Sequence, residues 1–123
     1  MWYILDDDHN PIEMPKTDMA DWGAWMEAAM QNKRRIVQQD QIGEFFISTV
    51  FLGIDHSFGF GGPPILFETM IFPKDSNEET YQERYTTWDD ALKRHRELVA
   101  EFSAANLVDT GQVLLARIRG IGE

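Results

Sequence analysis

The chain has 123 residues, of which 43% are hydrophobic and none is cysteine. That is one domain's length with enough apolar mass for a core; it excludes disulfides, thiol nucleophiles and cysteine metal sites, and it points to a reducing, cytoplasmic setting. Lys and Arg number 11 against 21 Asp and Glu, a net charge of −10, which repels phosphate backbones and argues against direct nucleic-acid binding.

Trp2 to Leu5 is a short aromatic-aliphatic run, read as a strand, and Asp6-Asp7-Asp8-His9-Asn10-Pro11 as the turn after it. Three adjacent acids rarely converge on one ion, so a solvated turn is expected there and no metal site. The first residues carry no basic region of a signal peptide, and no apolar run reaches membrane-spanning length. Met19, Trp22, Met26 and Ala29, with Trp25 beside them, recur at helical spacing. They predict a helix over 18–34, capped by Asp18, with Lys33, Arg34 and Arg35 at its C-terminal end.

Strands are expected at 36–42, 44–54, 65–72 and 81–86. The segment 44–54 is apolar on both faces and reads as a central strand covered on both sides. Thr87, with Asp90 three residues on, predicts a capped helix over 87–104 with the stripe Trp88, Leu92, His95, Val99 and Phe102. His95 on that stripe is expected to be a hydrogen-bonded packing residue. Val113 to Ile118 is either a last edge strand or an extension of the helix. The sum is a single α+β domain over 1–123, an antiparallel sheet of about four to five strands with two packed helices.

One segment stands out chemically. The connection Asp55-His56-Ser57-Phe58-Gly59-Phe60-Gly61-Gly62-Pro63-Pro64 is too long for a tight hairpin and too rich in glycine for a helix. Glycine allows backbone to approach a ligand closely. Phe58 and Phe60 sit at the tip, where a ring can fill a partner's pocket or fold back over the core. Asp55 and His56 begin the loop. Glu68 interrupts an apolar strand and is expected to be buried against a cation, with Arg84 or His56 as the partner. Asp55, His56, Phe58, Phe60, Glu68 and Arg84 are therefore the candidate ligand- or partner-binding residues. A carboxylate, an imidazole and a guanidinium could also serve a small hydrolase. However, the chain lacks a P-loop, a nucleophile elbow and an HExxH pair. Binding is favoured over catalysis, with no cofactor and no metal.

The block Ser48-Thr49-Val50-Phe51-Leu52-Gly53-Ile54-Asp55-His56-Ser57-Phe58, with Pro64-Ile65-Leu66-Phe67-Glu68-Thr69-Met70-Ile71-Phe72, resembles a family of small proteins from phages, prophages and bacterial genomes. Met1 to Asp6 and Glu83 to Trp88 resemble it too. The resemblance implies a phage or mobile-element setting in a host cell's cytoplasm and carries no activity with it. By analogy such a protein modulates or inhibits a host protein, including defence proteins. The partner is then a host protein, or a small anionic ligand such as a nucleotide held by Arg84 and backbone amides; self-association is a further expectation. The acidic surface serves solubility, or it imitates nucleic acid in a partner's basic groove.

Overall fold

The computed structural model describes residues 1–57, 61–76, 78 and 80–107. β1 (Trp2–Leu5) and β2 (Pro11–Met14) form an antiparallel hairpin, with Trp2 opposite Met14 and Leu5 opposite Pro11. α1 (Met19–Gln31) follows a short 3-10 turn at Lys16–Asp18. β3 (Ile36–Ile42), β4 (Phe45–Phe51), β5 (Phe67–Pro73) and β6 (Tyr81–Tyr85) form a four-stranded antiparallel sheet in sequence order, and α2 (Trp88–Leu107) packs across it. The α+β architecture expected from the sequence is the one observed. The second hairpin strand at Pro11–Met14 was not expected, and the expectation for Val113 to Ile118 lies outside the described residues.

Alternation on β4 and β5 decides which face is the core. Phe45, Ile47, Thr49 and Phe51 are buried while Phe46, Ser48 and Val50 are half-buried. Two apolar clusters lie on that buried face. One gathers Phe45, Ile47, Ile71 and Tyr81 under Leu98 and Phe102 of α2. The other gathers Phe51, Phe67 and Tyr85 with Leu5, Leu66 and Ala91, flanked by Trp25, Met26 and Trp88. Trp25 of α1 meets Phe51 edge-on at 5.9 Å, so both helices pack on the same side. Among the described residues no element packs on the other face, where the sequence predicted a second cover.

Three local departures have physical reasons. Asp18 stands at the N-cap of α1 but makes no side-chain capping bond. Its ψ of 30° follows the 3-10 turn and is not the extended backbone that aims a cap at the first helical amides. Met19, placed on the predicted stripe, is 52% exposed; Trp22 and Trp25 are the half-buried aromatic residues of α1. β4 stops at Phe51, short of Ile54, because Gly53 turns the chain at φ +80°. A Cβ there would also lie 2.8 Å from the Met26 side chain. The turn lays Gly53 to Asp55 along β1, where Tyr3 N donates to Gly53 O (2.8 Å), Asp55 N donates to Met1 O (3.1 Å) and Ile54 bridges Trp2. The Trp22 indole seals this joint by donating to Tyr3 O and Gly53 O.

Candidate functional site

The loop that follows is closed at its base by one side chain. Asp55 Oδ1 accepts from Ser57 N (2.8 Å) and from Ile65 N (2.9 Å), and Oδ2 accepts from Ser57 Oγ (2.8 Å). The carboxylate thus ties the first residues of the loop to the first residue after it, and His56 N adds a backbone bond to Ile65 O. Burial works to raise the Asp55 pKa, but the Ser57 and Ile65 amides and the Ser57 hydroxyl outweigh it and hold the group below its ordinary value. His56 Nδ1 lies 2.7 Å from Ile54 O, so the imidazole is anchored to its own backbone. Gly61 and Gly62 are exposed in the left-handed region, with open space where a Cβ would stand. Phe58 and Phe60 lie outside the described residues.

Glu68 and Arg84 come together as cross-strand neighbours on β5 and β6. Glu68 is 3% exposed; Arg84 Nε donates to its Oε2 at 2.8 Å, and the Gln82 amide donates to the same oxygen. The expectation of a buried, cation-paired Glu68 is met, with Arg84 as the cation. Asp55 holds Ile65, and Glu68 lies three positions further along the chain, roughly 10 Å at the rise of extended backbone. The clamp and the ion pair are therefore two features, one at the loop base and one on the sheet.

A third polar group was only partly legible. Gln38, Thr49, Thr69 and Glu83 stand in one row across the four strands, between the two apolar clusters. His95 of α2 sits over this row. Its Nε2 is 2.8 Å from Asp40 Oδ2 and its Nδ1 is 2.7 Å from Thr49 Oγ1; Thr49 Oγ1 is 2.5 Å from Thr69 Oγ1, to which the Tyr85 hydroxyl donates at 3.0 Å. When each hydroxyl donates once, the order runs from Tyr85 through Thr69 and Thr49 to Nδ1, leaving Nε2–H for Asp40. Gln38 donates to the same Asp40 oxygen. Burial raises the Tyr85 pKa, which keeps its proton available for donation.

Carboxylate, imidazole and hydroxyl stand here in the order of an acyl-transfer triad. Burial argues against that use. His95 and Thr49 are both 0% exposed, and the solvent-accessible member is Asp40, at the far end from the hydroxyl. The chain of bonds instead carries polar groups through the core with every partner supplied; among the described residues no buried side-chain nitrogen or oxygen lacks one. His95 is the hydrogen-bonded packing residue that its place on the helix stripe predicts. The sequence signal missed was the pair Thr49 and Thr69, each a polar residue on the apolar face of adjacent strands.

At the β6 edge a neighbouring group links the sheet to α2. Arg94 binds Glu83 at 3.0 Å, and the Tyr81 hydroxyl donates to Glu83. Burial, with Glu83 adding to it, pushes the Tyr81 hydroxyl up to about 12. The hairpin turn docks on the start of the same helix, where the His9 ring stacks on Trp88 at 3.8 Å. Among the described residues no cluster of three or more His, Asp or Glu side chains could hold a metal ion, and no helix is long and apolar enough to cross a membrane. Comparison with protein-family models, curated proteins and solved structures finds no match.

Proposed function

We propose that this chain is an accessory protein of the phage or mobile-element kind that acts by binding, and that it engages a host protein, of the defence class, through the loop from Asp55 to Pro64. The observation that carries the reading is the Asp55 clamp. A connection fixed at both ends by one carboxylate loses less conformational entropy on binding than a free one. Its exposed Gly61-Gly62-Pro63 run offers backbone to a partner. Phe58 and Phe60 supply apolar anchors in the sequence where a plain connector would be polar. The polar groups that a hydrolase would need are engaged otherwise: Asp55 holds the loop, and Glu68 is taken by Arg84 and Gln82. The resemblance of the Ser48–Phe58 and Pro64–Phe72 blocks to phage and prophage proteins supports the setting.

The test replaces both rings, Phe58→Ala with Phe60→Ala, in a protein shown by circular dichroism and thermal unfolding to stay folded. Tagged wild type and variant are purified from host cells under identical conditions, and the retained proteins are quantified. The reading expects a host protein retained by wild type and reduced at least tenfold with the variant. Equal retention by both would make the loop a structural connector.

A further inference from the structure

The buried chain of hydrogen bonds through His95 ends on a carboxylate at each edge of the sheet. Asp40 on β3 lies 2.8 Å from His95 Nε2, and its side chain is 32% exposed. At the other end the Tyr85 hydroxyl meets Thr69 at 3.0 Å and is also within hydrogen-bond reach of Glu83, two residues back on the same face of β6. The Glu83 side chain is 34% exposed. His95, Thr49 and Thr69 between these ends are all 0% exposed. The elements packed on α2 around His95 are the four strands. Among the described residues, their charged and titratable groups on this face are Asp40 from β3 and Tyr81, Glu83 and Tyr85 from β6, with Arg94 of α2 bound to Glu83. β4 and β5 bring the two threonines, since Glu68 stands on the other face. His9 of the hairpin meets α2 at Trp88, about two turns away.

We propose that this chain is a proton relay, through which the buried His95 takes up a second proton and the hydrogen bonds of the core reverse direction. With the neutral ring, Tyr85 donates to Thr69, Thr69 to Thr49, and Thr49 to Nδ1. A proton that solvent places on Glu83 passes to the Tyr85 oxygen. The Tyr85 proton then passes to Thr69, the Thr69 proton to Thr49, and the Thr49 proton to Nδ1. Each proton moves one place, one bond to hydrogen breaks for each that forms, and Glu83 returns to its carboxylate. The reversed chain runs from Nδ1–H through Thr49, Thr69 and Tyr85 to Glu83. Every hydroxyl still donates once and accepts once, and no heavy atom has to move. Burial disfavours a charged imidazole. Two carboxylates offset that, Asp40 as the direct partner of Nε2–H and Glu83 as the last acceptor of the chain. The result is a pH-sensitive tie between the sheet's two edges: acid converts the Asp40 contact into an ion pair on β3 and turns the Tyr85 proton toward Glu83 on β6. It also gives the two buried threonines a task that valine, of the same shape, could not perform. The relay does not depend on the loop reading.

NMR of the full chain with isotope-labelled histidine and tyrosine, across a pH series, tests it. The expected starting state is a His95 ring with a proton on Nε2 and none on Nδ1. As pH falls, Nδ1 should gain its proton while the backbone amides of β4 and β5 keep their folded shifts. The carbon bearing the Tyr85 hydroxyl should shift with the same midpoint. Tyr85→Phe removes the last hydroxyl, so the reversed chain leaves the Thr69 proton without an acceptor. That variant should lower the proton affinity of His95 about tenfold and leave the neutral tautomer unchanged, whereas a packing role alone predicts no change in either. A ring whose neutral form carries its proton on Nδ1 overturns the proposal. So does a ring that keeps a single proton until the folded amide spectrum is lost, or a proton affinity that Tyr85→Phe leaves equal to wild type. If Tyr85→Phe does not fold, the wild type decides alone: a Tyr85 shift that stays constant while Nδ1 gains its proton overturns the proposal, and a shared midpoint upholds it.

Discussion

Glu68 stands on the sheet face turned away from the helices yet lies almost wholly out of water, and two donors meet it there. Its guanidinium partner is partly exposed, so solvent screens the ion pair, and most of the benefit lies in the charge-assisted bonds to Oε2. Glu68→Gln keeps the shape but weakens those bonds and points an amide donor at donors. Urea denaturation should show a loss of about 1–3 kcal/mol. Thr49→Val is the sharper test of the core chain. It preserves volume while leaving His95 Nδ1 and the Thr69 hydroxyl short of a partner in a site without solvent. The expected loss is again about 1–3 kcal/mol, and a change within a few tenths would show that water or a rearranged hydroxyl replaces the bond. Glu68 was legible in the sequence because a charge inside an apolar run demands a partner, and the adjacent strand offers few. Asp40, Thr49, Thr69 and Tyr85 were not, since a threonine on a strand is ordinary until the register and a helix from much later in the chain bring the hydroxyls together.

The elements were legible wherever periodicity ran long. β3 matches its expected span, α2 starts after the expected Thr87 cap, whose hydroxyl accepts from Asp90 N at 3.1 Å, and β5 and β6 shift by no more than two residues at either end. Pro11–Met14 escaped notice because four residues containing Pro and Glu carry no strand signal until β1 pairs with them. The end of β4 escaped because alternation continues through Ile54 in sequence, while Gly53 breaks it in space. The Asp55 clamp belongs to this scale as well, since it converts a ten-residue connection into a closed loop. Asp55→Ala should therefore raise hydrogen exchange at the Ser57 and Ile65 amides at least tenfold, with the midpoint of global unfolding little changed. Unaltered exchange at both would show that the backbone bonds alone close the loop. The pH response follows from the depressed Asp55 pKa. A group whose folded pKa lies below its unfolded value contributes stability above the unfolded value, about 3.9 for Asp, and loses it as pH falls through the folded value. Protection at Ser57 and Ile65 should thus persist at neutral pH and fade below roughly pH 4. Fading that begins near pH 6 would assign the clamp to another group.

For the whole molecule, the helices and the hairpin are committed to one side of the sheet. Rigid support and a small apolar contact suit recognition, and the polar groups near the loop are already occupied. The central claim is that the loop from Asp55 to Pro64 is where this protein touches its partner. Its most direct test is site-specific photo-crosslinking in host cells, with benzoylphenylalanine in place of Phe60 and, for comparison, in place of Met30, which is 65% exposed on α1. The account predicts a discrete host-protein adduct from position 60 that is absent from position 30. An adduct pattern identical at both positions, or none from position 60 while position 30 yields one, would contradict it.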